Sequence, residues 1–330
     1  MRAFDSDSVL YSEITIPHLV AALMNDTFSM HRVFGCLLLC AALWLGGAFA
    51  SGARDAPEWK NAIEEAVRAA PDARIVILDA GSGRLIATHQ IRLAARTLAA
   101  PGSAIKPLVL YGMVRAHRWD PDQRIACNRQ LVVAGHRMTC AHPASPPFDA
   151  RLALAWSCNS YFAGLARILE PGELGQMLRS TGLLAATGLA DGEATAEYRE
   201  PETTADKQLA VLGTAGIRVT PLELAAAYRW LALQLDADPS SEAAQVVRAG
   251  LEDSASFGMA SQASLGRVPV LGKTGTAEDI RTAQTHGWFA GLVPTGKPQA
   301  VIVVYLPSGR GTDAAQLAGE ILKRAPLERK

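Results

Sequence analysis

The chain has 330 residues, of which 49% are hydrophobic, so it holds enough apolar side chains for one large domain or two smaller ones. Its 32 lysine and arginine residues balance 32 aspartate and glutamate residues, and the basic residues form no stripe along the sequence. A nucleic-acid-binding surface is therefore not expected, because such surfaces concentrate positive charge.

An apolar segment lies near the N-terminus. Residues 33–50 carry no charge, Arg32 precedes them, and small residues occupy the positions before a cleavage site after Ala50. This pattern is typical of a secretory signal peptide. Since the run is 18 residues long, it is also long enough to serve as a single membrane anchor.

These features divide the chain into three regions. We interpret 30–50 as the signal peptide or membrane anchor, with Met30 as the true start of translation. Residues 1–29 then form an extension upstream of that start, and 51–330 form the exported domain. The expected location is the periplasm or the extracytoplasmic face of the inner membrane.

The hydrophobic pattern after the leader predicts strands at both ends of the chain and helices between them. In chain order, we expect a helix at 56–70, strands at 74–79 and 84–88, a helix starting near Ser103, a loop at 121–150, helices from Tyr161 and from Thr220, strands at 268–276, 286–293 and 300–306, and a helix at 313–324. The economical architecture is α+β, with one antiparallel sheet formed by the N- and C-terminal strands and a mostly helical middle packed against it.

Three cysteines lie in the exported part, at Cys127, Cys140 and Cys158. Cys127 and Cys140 flank a short polar segment, and export permits a disulfide between them; three reduced thiols are the alternative. We expect no metal, because the cysteine spacing matches no ligand pattern and His136 and His142 have no second cysteine pair to join.

A possible nucleophile opens one of the predicted helices. Ser103 and Lys106 are three residues apart, so on a helix they share a face, and Pro101-Gly102 before them is a turn signal. An amine whose pKa is lowered by burial can activate a serine hydroxyl. The ordinary alternative is a serine cap followed by a surface lysine.

Two more short motifs follow in the sequence. Ser157-x-Asn159 stands before a predicted helix, and Lys273-Thr274-Gly275 lies on a β-prone segment. Each motif alone is weak, because the first also suits a helix cap and the second a strand end. Their joint occurrence with the Ser103 motif resembles the penicilloyl-serine transferase superfamily.

The flanking residues resemble the transpeptidase domain of penicillin-binding proteins in particular. This resemblance covers about 70–325 and rests on these phrases: Pro101-Gly-Ser-x-x-Lys-Pro107, Val219-Thr-Pro-Leu-Glu-Leu-Ala225, Gly272-Lys-Thr-Gly-Thr-Ala277 and Gly287-Trp-Phe-Ala-Gly291. It implies a β-lactamase/DD-transpeptidase-like fold and an acyl-serine mechanism that requires no metal or organic cofactor.

The resemblance also implies a role for each catalytic residue. Ser103 attacks the carbonyl carbon of a D-alanyl-D-alanine bond in a peptidoglycan stem peptide, and Lys106 takes the serine proton. Ser157 relays that proton to the leaving amine. The backbone N–H groups of Ser103 and Thr276 form the oxyanion hole, a type of site in which one donor changes the rate by about 10²–10³-fold.

The substrate-binding residues follow in the same way. The resemblance implies that Lys273, Thr274 and Thr276 bind the terminal carboxylate of the substrate, with Gly275 between them in the motif. Asn159 holds the substrate backbone or orients the lysine base. β-Lactams would act as covalent inhibitors of the same site.

The fate of the acyl-enzyme separates the remaining alternatives. Attack by a second stem peptide defines a transpeptidase, and attack by water defines a carboxypeptidase or a β-lactamase. Glu200 and Glu202 superficially match the acidic segment of class A β-lactamases, but we interpret them as loop acids. A penicillin-binding sensor domain is a further alternative. Because the exported part is little more than a catalytic domain, we expect that it either depends on a partner protein in cell-wall synthesis or serves a specialised role.

Overall fold

The computed structural model describes residues 52–143, 147–264, 269–278 and 284–327. The predicted leader at 30–50 and the extension at 1–29 lie outside these residues. Within the described ranges, no helix has both the length and the apolar character needed to cross a membrane.

The strands and helices are numbered in chain order. The strands are β1 (Arg74–Asp79), β2 (Leu85–His89), β3 (Gln130–Val133), β4 (His136–Thr139), β5 (Glu197–Tyr198), β6 (Ile217–Arg218), β7 (Leu271–Glu278), β8 (Thr285–Val293) and β9 (Ala300–Leu306). The helices are α1 (Gly52–Ala66), α2 (Ile91–Ala94), α3 (Lys106–Arg115), α4 (Ala150–Ala155), α5 (Asn159–Ala166), α6 (Glu173–Ser180), α7 (Thr204–Val211), α8 (Pro221–Ala237), α9 (Glu242–Ser256) and α10 (Gly311–Arg324).

The central sheet has five strands in the order β2-β1-β9-β8-β7. All its pairings are antiparallel, and β1 joins the two ends of the chain by pairing with β9, with Arg74 opposite Tyr305. The predicted sheet of N- and C-terminal strands is therefore confirmed. Strand β7, which carries Lys273, is the last strand of the sheet on this side among the described residues.

Side chains alternate between the two faces of the sheet along each strand. Both faces are buried, each against its own set of helices. One face packs on the helical middle, with β1 residues Val76 and Leu78 in its core. The other face packs on α1 and α10, with Ile75 and Ile77 in a second core. Trp59 of α1 belongs to this second core, as the helical pattern of that segment predicts.

Local signals explain several element boundaries. Thr220 and Glu223 form the predicted capping box of α8: each side chain accepts a hydrogen bond from the other residue's backbone N–H. The region 121–150, expected as loop, contains the short β3–β4 hairpin. Helix α9 at Glu242–Ser256, for which the sequence pattern gave no prediction, packs against α4.

Candidate active site

Ser103 lies in a tight 3-10 turn, Gly102–Ile105, rather than in the first turn of an α-helix as expected. The α-helix begins at Lys106. The turn is held in place by buried side chains: the Tyr228 hydroxyl donates to the Ala104 carbonyl at 2.7 Å, and the Trp288 indole donates to the Ala100 carbonyl at 2.9 Å.

Two glycines let this turn approach strand β7 backbone to backbone. Gly102 has φ +54°, and a Cβ added there would lie 2.6 Å from the Thr276 carbonyl oxygen. A Cβ on Gly275 would overlap the Pro101 carbonyl oxygen. Any side chain at either position would push the Ser103 turn away from the strand that carries the third motif.

The three motifs meet at the hydroxyl of Ser157. Lys273 Nζ donates to Ser157 Oγ at 2.9 Å and to the Thr274 carbonyl at 3.0 Å. Lys106 Nζ donates to Asn159 Oδ1 at 2.8 Å, to the Ser157 carbonyl at 3.0 Å and to Ser157 Oγ at 3.4 Å. Ser157 takes a left-handed backbone conformation with φ 56°, which turns the chain sharply between α4 and α5.

Both lysine amines are fully buried, and burial disfavours their charged forms. Desolvation lowers the pKa of Lys106 from 10.5 to about 8, although the electrostatic effect of the nearby Cys140, Cys158 and Cys127 opposes the shift. Desolvation and the charge of Lys106 lower the pKa of Lys273 well below its ordinary value. Each amine therefore loses its proton more easily than a surface lysine, as a base requires.

A cavity of about 300 Å³ opens above this pair. Of the predicted site residues, it is lined by Ser103, Ser157, Asn159, Thr274 and Thr276. Ser103 lines the cavity, and no hydrogen bond of its hydroxyl is found within the described part of the chain. The two lysines lie beneath the cavity.

Other lining residues carry no sequence signal of a site. They come from separate elements and complete the wall: Met138, Cys140, Trp156, Thr214 and Met259. Gly275, predicted to bind substrate, is not among the lining residues; it pairs with Trp288 in the sheet and contacts the Ser103 turn. An adjoining cavity of about 430 Å³ shares Met138 and Thr214 with the first.

Cys127, Cys140 and Cys158 are free thiols in the structure. The Cys127 and Cys140 sulfurs are 3.6 Å apart, compared with about 2.05 Å in a disulfide, so the predicted bridge is not formed. The structure also corrects the argument from spacing, because it brings all three cysteines together with His142. Residues from separate segments meet here, which sequence spacing alone could not indicate.

Glu200 has a structural role in the fold. Its Oε1 accepts a hydrogen bond from the Gly172 backbone N–H at 3.2 Å, next to helix α6. Neither Glu200 nor Glu202 lines the cavity as the described residues form it. This placement agrees with their interpretation as loop acids.

The geometry can be compared with known proteins. Residues 73–326 match the family described as penicillin binding protein transpeptidase domain. Since this match covers most of the chain, the protein belongs to that family, whose members are acyl-transferring enzymes. No curated protein sequence matches the chain.

Solved structures with the same fold are distant in sequence. The transpeptidase domain of penicillin-binding protein 3 from Burkholderia pseudomallei superposes with a TM-score of 0.71 at 20% identity, over 81% of this chain and 93% of that one. Penicillin-binding protein 2 from Pseudomonas aeruginosa gives 0.68 at 19% identity, over 79% and 75%. Penicillin-binding protein 2 from Helicobacter pylori, solved with MreC, gives 0.68 at 16% identity, over 78% and 61%.

Proposed function

We propose that this protein is a serine D,D-transpeptidase that acts on D-alanyl-D-alanine stem peptides of peptidoglycan through an acyl-Ser103 intermediate. The observation that carries the proposal is the convergence of two buried amines on Ser157 Oγ, at 2.9 and 3.4 Å, beneath the cavity that Ser103 lines. A structural lysine on a surface helix would not be buried in this way.

The acylation step follows from the chemistry of these groups. Neutral Lys106 accepts the Ser103 proton as the serine oxygen bonds to the carbonyl carbon. The Ser103 and Thr276 backbone N–H groups stabilise the resulting oxyanion, Thr276 being on the edge strand of the sheet. When the tetrahedral intermediate collapses, its C–N bond breaks, and Ser157 passes a proton to the departing D-alanine amine.

The substrate carboxylate is proposed to bind on the other side of the cavity. Thr274 and Thr276, whose side chains lie on the same face of β7, line the cavity. Thr276 Oγ1 accepts a hydrogen bond from the Gly311 N–H at 2.8 Å, which leaves its own proton available to the carboxylate. Lys273 lies behind them. Burial and the charge of Lys106 lower the pKa of Lys273 in the free enzyme, and a bound carboxylate would favour the charged form of Lys273.

Two features favour transfer to a second peptide over hydrolysis. The adjoining cavity of about 430 Å³ offers room for an acceptor chain beside the acyl-enzyme. Glu200, the residue that superficially suggested a water-activating acid, is engaged with Gly172 instead. We further propose that the domain is exported and works with a cell-wall synthesis partner, as the Helicobacter pylori protein was solved in complex with MreC.

The test is covalent labelling of the purified protein with a fluorescent penicillin, followed over hours by gel and intact mass. We expect a stable adduct of one label per chain that disappears in Ser103→Ala. Ser180→Ala, which removes an exposed hydroxyl on α6, is the matched control and should label normally. Absence of labelling in the unmodified protein would overturn the assignment.

The same experiment separates the alternatives by the fate of the label. Rapid loss of the adduct with release of the hydrolysed antibiotic would identify a β-lactamase. A stable adduct is expected together with the joining of two stem peptides. Release of D-alanine alone would identify a carboxypeptidase, and a stable adduct without stem-peptide turnover would identify a sensor.

A further inference from the structure

A second buried cluster of reactive side chains lies beside the candidate active site. Cys127 precedes β3, Cys140 and His142 follow β4, and Cys158 lies between Ser157 and α5. Their three sulfurs and one imidazole nitrogen all lie within 4.8 Å of one another. Three of these residues are buried, with exposed fractions of 7% for Cys140 and 0% for His142 and Cys158.

The histidine has one ring nitrogen without a partner. Its Nδ1 lies 2.7 Å from the Pro143 carbonyl, which can only accept, so Nδ1 carries the proton and Nε2 presents a lone pair. Nε2 is buried and has no hydrogen-bond partner among the described residues. A polar atom left in that state costs about 1–3 kcal/mol, and a histidine whose other N–H donates to a carbonyl is the usual form of a metal ligand.

Backbone N–H groups point at two of the sulfurs. The Asn159 N–H donates to Cys140 Sγ at 3.2 Å, and the Arg129 N–H donates to Cys127 Sγ at 3.4 Å. Hydrogen bonds of this kind are stronger when the acceptor is ionised, so they favour thiolates over thiols. Thiolate is also the form of cysteine that binds metals.

The distances fit one tetrahedral metal better than a disulfide. With Zn–S bonds of about 2.3 Å, two sulfurs of a tetrahedron are about 3.8 Å apart, and Cys127 and Cys140 are 3.6 Å apart. The most distant ligand atoms, at up to 4.8 Å, would have to close by about 1 Å. A disulfide would use two sulfurs and leave His142 Nε2 buried without a partner among the described residues.

We propose that Cys127, Cys140, Cys158 and His142 bind one structural Zn²⁺ ion. Three cysteines and one histidine form a known structural zinc set, closed to substrate because all four positions are filled by protein. Binding releases three thiol protons to solvent as three Zn–S bonds and one Zn–N bond form, and no group is oxidised or reduced.

The ion would fix the position of the turn that holds the lysine base. Asn159 links the two clusters directly, since its N–H donates to Cys140 Sγ at 3.2 Å and its Oδ1 accepts from Lys106 at 2.8 Å. Cys158 lies between Asn159 and Ser157. We therefore assign the zinc ligands as positioning residues for acylation; this assignment rests on the proposed function, whereas metal binding itself does not.

The first measurement is the zinc content of the full chain, purified without a polyhistidine tag and with a reductant present. We expect about one zinc per chain, lost in Cys127→Ser and in His142→Ala. The Cys36→Ser/Cys40→Ser double variant removes two leader thiols, and His117→Asn removes an exposed imidazole. Both matched controls should keep the metal.

A second measurement needs no variant, so a folding defect cannot confuse it. Replacing zinc by Co²⁺ should produce the visible absorption of a tetrahedral cobalt–thiolate site. Removing the metal with a chelator should slow acylation by fluorescent penicillin about 10–100-fold while its binding affinity changes little, and adding zinc should restore the rate.

Several results would overturn the zinc site. The site is refuted if the protein takes up no zinc, or if zinc persists in both ligand variants. It is also refuted if peptide mapping finds a Cys127–Cys140 disulfide in the native protein. Metal loss without a change in acylation rate would refute the positioning role alone. If Ser103 is never acylated in any form, the proposed function fails, and zinc content and the cobalt spectrum still decide the metal site.

Discussion

The two walls of the cavity are held together in different ways. The turn–strand wall, formed by the Gly102–Ile105 turn and strand β7, rests on the central sheet and on backbone contacts that only glycine permits. The hairpin wall, formed by the β3–β4 hairpin and the turn at 157–159, belongs to no part of that sheet. Its hairpin is largely exposed, with Val132 61% accessible.

This difference shows where the geometry of the site is vulnerable. A wall built on the sheet is fixed by many hydrogen bonds and buried apolar contacts, so it opens only when the domain unfolds. The hairpin itself has few such contacts, and the cysteine–histidine cluster joins it to the 157–159 turn. That turn meets the rest of the site through the hydrogen bonds of Ser157 and Asn159 with the two buried lysines. The following substitutions test this contrast in order of decreasing expected effect.

The largest effect is expected between the two walls, at Lys106, the proposed base. Lys106→Met keeps the length of the side chain and removes its amine, so acylation by penicillin should fall about 10³-fold, within the usual range for a lost general base. The melting temperature should stay the same or rise, because a fully buried charge is removed. Stopped-flow acylation and thermal unfolding measure the two quantities.

The matched control for that variant is Lys60→Met. Lys60 lies on α1 with 71% of its side chain exposed, and its change should leave both the acylation rate and the melting temperature nearly unchanged. A Lys106→Met protein that acylates at the ordinary rate would exclude the amine as the base.

The sequence indicates most of the residues that the candidate site brings together, because each of its motifs is local. Each motif spans at most four residues: Ser103 with Lys106, Ser157 with Asn159, and the triplet that begins at Lys273. The resemblance to the family then implies that the three motifs lie together in one site. The sheet is equally predictable, because its strands are strongly apolar and lie at both ends of the chain.

The hairpin wall is not predictable in this way. Its cysteines and His142 come from segments with no fixed spacing, so only the folded chain brings them together. Met138 and Thr214 likewise become lining residues through tertiary packing. The role of Gly102 depends on a close backbone approach to Thr276, which no local pattern encodes.

The next effect is expected in the turn–strand wall. Gly275→Ala places a methyl group against the Pro101 carbonyl, so the turn must move away from β7 and Ser103 must leave its position. We expect acylation to fall about 10²-fold, as a displacement near 1 Å can cause, and the free energy of unfolding to drop by about 1–3 kcal/mol.

Gly296→Ala is the matched control, because a Cβ there meets nothing within 4 Å. This substitution should leave the acylation rate and the free energy of unfolding nearly unchanged. Chemical unfolding and acylation kinetics would be measured on both proteins, and a fully active Gly275→Ala would show that the backbone contact does not set the geometry of the site.

A smaller effect is expected in the hairpin wall. Cys158→Ala removes one proposed zinc ligand without exposing new polar groups, so acylation should fall a few tens-fold as the 157–159 turn loosens. Hydrogen exchange should increase at the hairpin and at this turn while the sheet remains protected. Equal loosening of β7 would contradict the distinction between the two walls.

The rate of acylation is expected to change about tenfold between pH 7 and pH 9. With the pKa of Lys106 at about 8, about a tenth of its population is neutral at pH 7 and about nine tenths at pH 9, so acylation should rise across this range and then level off. The folded pKa is lower than the unfolded value, so the unfolded state binds more protons between pH 8 and 10.5 and stability also rises there.

Rate constants for acylation measured between pH 6 and 9.5 give this profile, with the spontaneous hydrolysis of the penicillin subtracted. The profile should be lost in Lys106→Met. A rate that is flat through pH 8 in the unmodified protein would show that another group takes the Ser103 proton.

The smallest effect is expected at Glu200, which lies on neither wall. Glu200→Gln keeps an oxygen that can accept the Gly172 N–H, so the loop should remain in place. If deacylation does not depend on this carboxylate, the lifetime of the penicillin adduct should change less than about twofold, whereas a water-activating acid would contribute about 10²-fold or more. A strongly prolonged adduct would place Glu200 in the reaction and turn the proposal from a transpeptidase toward a β-lactamase.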